Sequence, residues 1–209
     1  RFLAITPDFD VKEYRKYPDK IEVITSEEYR KISSQKSPQG VLAVFEKPDY
    51  KIDYNEITKN LILALDDIQD PGNLGTIIRL ADWFGIKDVF CSLYTADAFG
   101  PKTVQATMGA IARVRVHYVD LAVFLKEVKD GIPIYGTFMN GKNIYDERLS
   151  NNGIVVMGNE GSGISDEILP FINQKLIIPG YPENTPTSES LNVGIATAIV
   201  VSEFRRRKI

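Results

Sequence analysis

Brief apolar runs alternate with polar stretches at the start of the chain, and the spacing changes near residue 60. In residues 1–47, Phe2–Ile5, Ile21–Ile24 and Val41–Phe45 predict short strands, and Ser26-Glu27-Glu28-Tyr29 predicts a helix start capped by Ser26. Residues 48–60 are polar with little periodicity, which predicts a linker into a second domain covering 61–209. There the continuous run Leu61-Ile62-Leu63-Ala64-Leu65 has the character of a strand buried on both faces. Apolar Ile77, Ile78, Ala81 and Phe84 predict a helix over 74–84 that Gly85 ends. Further strands are predicted at Val89–Cys91, Val114–Val119, 132–138, Ile154–Met157 and Leu176–Ile178, with helices over 102–112, 120–129, 165–173 and 190–206. Strands that alternate with helices define an α/β class: a mostly parallel sheet with helices on both faces.

Composition narrows the chemistry. The 209 residues include a single cysteine, Cys91, and a single histidine, His117. One cysteine excludes an internal disulfide framework and multi-cysteine zinc or iron–sulfur sites. One histidine excludes the H-E-x-x-H metalloenzymes, and the alternating segment Arg113–Tyr118 places it as a half-exposed strand residue, not a catalytic base. Composition, 44% hydrophobic and 25% charged, fits a globular chain. No run reaches the ~18 apolar residues of a membrane span, and no signal peptide opens the chain. A cytoplasmic location is therefore expected, with no membrane partner and with Cys91 as a small buried hydrophobe. Arginine at position 1 implies a start inside a longer protein. The formal charge of −3 argues against a strongly basic nucleic-acid surface. The closing run Arg205-Arg206-Arg207-Lys208 is expected to end the last helix favourably against its dipole, and the apolar surface of that helix is a candidate dimer face.

Three segments at predicted strand ends, where α/β sheets bind ligands, carry candidate chemistry. Asp66–Thr76 contains the turn Pro71-Gly72, with Asn73 as a helix cap, and leads to Arg79, a lone cation among Ile77, Ile78, Leu80 and Ala81. Gly158-Asn159-Glu160-Gly161-Ser162-Gly163 follows a strand. Its G-x-x-G-x-G spacing is not the dinucleotide fingerprint, it lacks the phosphate-loop lysine, and Glu160 disfavours a pyrophosphate. Pro179–Glu189 then leads into Ser190-Leu191-Asn192-Val193 and a helix of small residues that Ser190 or Glu189 would cap. Read alone, each segment has a plainer account: Arg79 as a solvated side chain, 158–163 as a tight turn, Ser190 and Asn192 as caps.

In this order the three segments resemble the motifs of the SpoU (TrmH-like) RNA 2′-O-ribose methyltransferases of the SPOUT superfamily. The residues that carry the resemblance are Asp70-Pro71-Gly72-Asn73-Leu74-Gly75-Thr76-Ile77-Ile78-Arg79, Gly158–Gly163, and Ile178-Pro179 with Ser190–Val193. The resemblance covers 61–207 and implies a C-terminal deep trefoil knot, an exception to the rule that chains avoid knots. It makes residues 1–47 part of a small L30e-like α/β substrate-binding domain. It implies a homodimer acting on ribosomal or transfer RNA with S-adenosylmethionine as cofactor and no metal. The cofactor would be held by Gly158, Ile178 and Leu191, with Asn159, Gly161, Pro179 and Asn192 nearby. Asn73, Arg79, Glu160, Ser190 and Asn192 match catalytic or substrate-positioning residues. Two features depart from the pattern: Gly194 stands where the family usually has serine, and ten residues separate Pro179 from Ser190, a loop expected to order on ligand binding. Two other classes stay in view. A knotted RNA-binding or ribosome-assembly factor without turnover would bind cofactor and methylate nothing; a nicotinamide oxidoreductase would need the G-x-G-x-x-G that is missing.

Overall fold

The computed structural model describes residues 1–10, 12, 19–35, 37, 39–182 and 190–206. The chain divides into two units, Arg1–Asp49 and Tyr50–Ile209. In the first, β1 (Phe2–Ile5) pairs in parallel with β2 (Lys20–Val23) and antiparallel with β3 (Val41–Val44). Leu3 and Ile5 pack with Phe9, Ile21 and Val41. The helix α1 (Ser26–Ile32) is capped by Thr25, not by Ser26: Thr25 Oγ1 accepts from Glu28 N, and Glu28 reaches back to Thr25 N in a capping box.

The second unit begins inside the segment expected to be a linker. Asp53 caps a short helix, α2 (Tyr54–Ile57), whose Ile57 is buried against the second unit's core. The sheet contains β4 (Leu61–Leu65), β5 (Asp88–Cys91), β6 (Arg115–Tyr118), β7 (Ile134–Asn143), β8 (Gly153–Met157) and β9 (Gln174–Ile177) in the order β6-β5-β4-β8-β7-β9, and every pairing is parallel. Around it lie α3 (Pro71–Trp83), α4 (Pro101–Thr107), α5 (Leu121–Val128) and α6 (Val193–Arg206).

Because successive strand residues point to opposite faces, β4 feeds two cores. Leu61, Leu63 and Leu65 pack with Leu74, Ile77 and Ile78 of α3 and Val200, Val201 and Phe204 of α6. Ile62 and Ala64 pack with Ile57, Phe124 and Leu125 on the other face. The expected helices on both faces are present. Close packing of α3 on α4 needs Gly75, where a Cβ would stand 2.5 Å from Ala106 Cβ.

Several expected boundaries shift for local reasons. The helix expected over 102–112 breaks after Thr107, because Met108 and Gly109 are left-handed, at φ 49° and 87°. Of the helix expected over 165–173, one 3₁₀ turn at Leu169–Phe171 forms. β7 runs past residue 138 to Asn143 by bulging, so that Thr137 and Lys142 both pair with Leu176. His117 is not half-exposed: its side chain is 4% exposed, lies stacked on Phe90 and meets Asp88 Oδ1 at 2.9 Å. Cys91 is fully buried, and burial pushes its thiol pKa up, which keeps it protonated. Among the described residues, no helix is long and apolar enough to cross a membrane.

Candidate functional site

With all six strands parallel, the segments after β4, β8 and β9 leave one edge of the sheet. Chain order carries β4, β5 and β6 away in one direction and returns β8 to the other side of β4. The order therefore reverses between β4 and β8, the position at which open α/β sheets form a ligand crevice.

Asp70 caps α3: its Oδ1 accepts from Asn73 N at 2.7 Å, and Pro71 fills the first turn, where no N–H is required. Asn73 was the expected cap. Relieved of that task, its side chain turns to the other two segments. Asn73 Nδ2 donates to Glu160 Oε1 at 2.8 Å, and Asn73 Oδ1 accepts from Asn192 Nδ2 at 2.9 Å. Asn192 caps α6, accepting from Gly194 N at 3.0 Å and Ile195 N at 3.3 Å. One side chain on each of the three segments thus joins a single chain of hydrogen bonds, Asn192 to Asn73 to Glu160.

The turn after β8 is compact. A Cβ on Gly158 would lie 2.3 Å from the carbonyl carbon of Gly163 and 2.4 Å from Ile164 N, so only glycine fits. At Gly161 the nearest atom to a Cβ would be Asn159 Oδ1, 3.5 Å away. Leu191 is 47% exposed and its main chain bonds to no other described residue, while Ile178 and Pro179 are half-buried. These are the features a nucleoside-like ligand needs: apolar side chains for a base and a main chain that no other described residue engages for its polar edge. The residues present therefore fit an adenosyl cofactor.

Arg79 and Ser190 do not join the hydrogen-bonded chain. Ser190 is exposed and bonds to no other described residue. Arg79 is exposed on α3 and forms no hydrogen bond or ion pair among the described residues. It lies six residues, roughly 9 Å of helix rise, from Asn73, beside an apolar groove of about 710 Å³ lined by Thr76, Trp83, Phe84, Tyr145, Ala198 and Ile199. Trp83 is 83% exposed there. Of the closing basic run, Arg205 donates to the carbonyl of Phe84 and Arg206 pairs with Glu203, whereas Arg207 and Lys208 lie outside the described residues, as do residues 183–189 of the long loop and with them Glu189. Gly194 packs on Thr76 and Asn192: Thr76 Cγ2 and Asn192 Oδ1 would each stand 3.2 Å from an added Cβ, so a side chain at this α6 start requires them to give by a few tenths of an ångström. The sequence did not single out Asp66, Asp67 or Ser92, which bond to the β8 loop or to each other; the paired acids directly after an apolar strand were the available signal.

A doubly covered parallel sheet whose three loops converge at a strand-order reversal defines an α/β ligand-binding enzyme domain. The family model of the SpoU rRNA Methylase family matches residues 60–202. The chain belongs to that family, and the methyltransferase reading of its motifs stands with it. It is 32% identical over 210 residues, 97% of this chain and 82% of the relative, to the 23S rRNA (guanosine(2553)-2′-O)-methyltransferase RlmP of Bacillus subtilis. It is 31% identical to the 23S rRNA (guanosine-2′-O-)-methyltransferase RlmB of Neisseria meningitidis, over 85% of this chain and 73% of that one. Among solved structures, a putative RNA methyltransferase of the TrmH family from Porphyromonas gingivalis superposes with a TM-score of 0.84 at 40% identity, covering 99% of this chain and 82% of that one. An AdoMet-bound rRNA methyltransferase from Sinorhizobium meliloti gives 0.85 at 27% identity, over 100% and 80% of the two chains.

Proposed function

We propose that this chain methylates the 2′-hydroxyl of a ribose in ribosomal RNA, with S-adenosylmethionine as methyl donor. The observation that carries the reading is the bonded chain Asn192–Asn73–Glu160, which unites the three motif segments at the strand-order reversal. The relatives named above, two of them 23S rRNA 2′-O-methyltransferases and one an AdoMet-bound structure, support the reaction and the cofactor.

Gly158, Ile178 and Leu191 would hold the cofactor through main-chain groups, with Asn159, Gly161, Pro179 and Asn192 around it. When bound, the sulfonium supplies an activated methyl group, so the protein is left to orient and polarise the ribose. An arginine stays protonated in proteins, so Arg79 acts as a donor: it binds the neighbouring RNA phosphate and stabilises charge developing on the ribose oxygen. Asn73 and Glu160 fix one edge of the ribose site, and Ser190 bonds the substrate from the opposite segment. A preorganised donor of this kind is worth about 3–4 kcal/mol in the transition state.

The same reading includes a homodimer. The groove beside Arg79 exposes Trp83 to an extent unusual for a monomer surface, and a second copy would cover it. It also includes a trefoil knot in the segment leading to α6, a cytoplasmic location, and RNA binding by the first unit as an L30e-like module, whose own cleft carries Phe9, Tyr29 and Arg30. The deciding experiment supplies methyl-labelled S-adenosylmethionine and ribosomal RNA from cells lacking the gene, followed by mapping of 2′-O-methyl positions. One modified ribose, absent with the Arg79→Ala variant, is the expected result. Cofactor binding without methylation of any RNA would establish an assembly factor instead.

A further inference from the structure

The turn after β8 is tied at both ends to the segment after β4, whose anchoring groups the mechanism above leaves unused. At one end Asn159 Nδ2 donates to the carbonyl of Asp67 at 2.7 Å. At the other, Ser165 N donates to Asp66 Oδ2 at 2.7 Å. Between these anchors the turn closes on itself: Asn159 Oδ1 accepts from Gly161 N and Ser162 N at 2.8 and 3.0 Å, and the main chains of Asn159 and Gly163 exchange bonds of 2.9 and 3.0 Å. Glu160 is at the exposed tip, where its Oε1 accepts from Asn73 Nδ2 at 2.8 Å.

The anchors are themselves held. Asp67 has φ 57°, one of two non-glycine residues at positive φ among the described residues. Aspartate tolerates this region better than most side chains, but the surroundings must enforce it. Ser92, directly after β5, supplies the restraint: its Oγ accepts from Asp67 N at 2.9 Å and donates to Asp67 Oδ1 at 2.8 Å. Ser92 N in turn donates to the carbonyl of Leu65 at 2.9 Å, so the hydroxyl is fixed to the sheet. Asp66 is only 5% exposed, and Asp66 N donates to the carbonyl of Met157 at 2.9 Å, which aligns its side chain with the start of the turn.

We propose that Asp66, Asp67 and Ser92 are positioning residues for cofactor binding: a brace rooted at the end of β5 that holds the Gly158–Ser165 turn in its ligand-ready shape. The proposal rests on the reading of that turn as the cofactor loop. A segment with glycine at 158, 161 and 163 loses much conformational freedom on ordering, and a loop ordered before the ligand arrives spares that loss at the moment of binding. None of the three side chains needs to touch the cofactor; they act through Asn159 and the main chain of Ser165.

Two readouts test the brace. In Ser92→Ala, which removes both bonds between Ser92 Oγ and Asp67, amide exchange is expected to accelerate at Gly161, Ser162 and Ser165 while β8 keeps its wild-type protection, and S-adenosylhomocysteine is expected to bind about tenfold more weakly. With cofactor saturating, kcat and the KM for RNA stay within about twofold, because the transfer step itself is untouched. Asp66→Asn keeps an acceptor for Ser165 N and binds within about threefold of wild type; Asp66→Ala, which removes it, falls about tenfold. Wild-type affinity in Ser92→Ala and Asp66→Ala, or exchange that rises equally throughout the second unit, overturns the brace. A wild-type chain that binds no S-adenosylhomocysteine overturns the functional reading instead, and the exchange pattern still decides whether the brace holds the turn.

Discussion

Replacing Asn73 with aspartate changes one nitrogen to an oxygen at the centre of the proposed site. The substituted side chain keeps the oxygen that accepts from Asn192 at 2.9 Å, but the atom 2.8 Å from Glu160 Oε1 ceases to donate and carries charge. With charge centres ~4 Å apart, the repulsion is about 1 kcal/mol in bulk water and about 4 kcal/mol at the effective dielectric near a protein surface. Glu160 is exposed and can swing away, so the cost to folding sits at the low end: about 1 kcal/mol, plus about 1 kcal/mol for the lost bond. At roughly 2–4 °C per kcal/mol the melting temperature falls by about 4–8 °C. Activity falls further, about 100-fold in kcat, because the swing removes Glu160 from the ribose site. Each carboxylate raises the other's pKa, so the destabilisation is full above that raised value and fades as pH falls through it and one proton is taken up by the pair. Thermal melts at pH 8 and pH 5 read the stability part, and labelled-methyl incorporation at saturating RNA reads the catalytic part. The double variant Asn73→Asp/Glu160→Gln restores a donor opposite the new carboxylate and recovers the melting temperature. If it also recovers activity, geometry is what the site requires; if it does not, the Glu160 carboxylate itself is required. Wild-type turnover and wild-type melting in the single variant would refute the bonded chain as part of the machinery.

Three other substitutions have defined outcomes. Arg79→Lys keeps the charge but loses the planar fork; a drop of about 100-fold in methylation with unchanged S-adenosylhomocysteine affinity is expected, and near-wild-type activity would sink the donor role. Gly158→Ala forces apart atoms 2.3 and 2.4 Å from the new carbon, and calorimetry is expected to show cofactor affinity reduced at least tenfold, of order 1.4 kcal/mol. Asp88 is raised by burial but lowered more by its bonds from His117 and Arg115, the latter at 2.7 and 2.5 Å, so its net pKa lies below the ordinary 3.8. Its stabilisation is therefore complete above pH ~4 and lost as pH falls through the depressed value. Asp88→Asn is expected to lower the neutral-pH melting temperature by roughly 5–10 °C and to flatten the acid limb of a melting-temperature profile; an unaltered acid limb would show that Asp88 carries none of it.

Legibility from sequence depended on how local each signal was. β4 and β8 were plain because a strand buried on both faces must be apolar throughout. The converging segments were recognisable as motifs, yet the sequence placed Asn73 as a helix cap, whereas Asp70 takes that role and leaves Asn73 to bridge two segments. Nothing local distinguishes a capping asparagine from a bridging one; the partners are 87 and 119 residues away. The burial of His117 was missed for a similar reason: alternation predicts one open face, but residues 48–60, expected to be a free linker, bring Tyr50 to 6.1 Å from its ring and α2 into the core beside it. The break after Thr107 came from Met108, a residue type that gives no warning of a left-handed backbone.

The bonded chain from Asn192 to Glu160 also sets a timetable. Its members are synthesised at residues 73, 160 and 192, so Asn73 must wait 87 residues before Glu160 exists, and 119 for Asn192. Contacts of such separation close late and slowly. A nascent chain therefore cannot complete this bonded chain before residue 192 has been made. A product truncated before Asn192 would lack that link altogether.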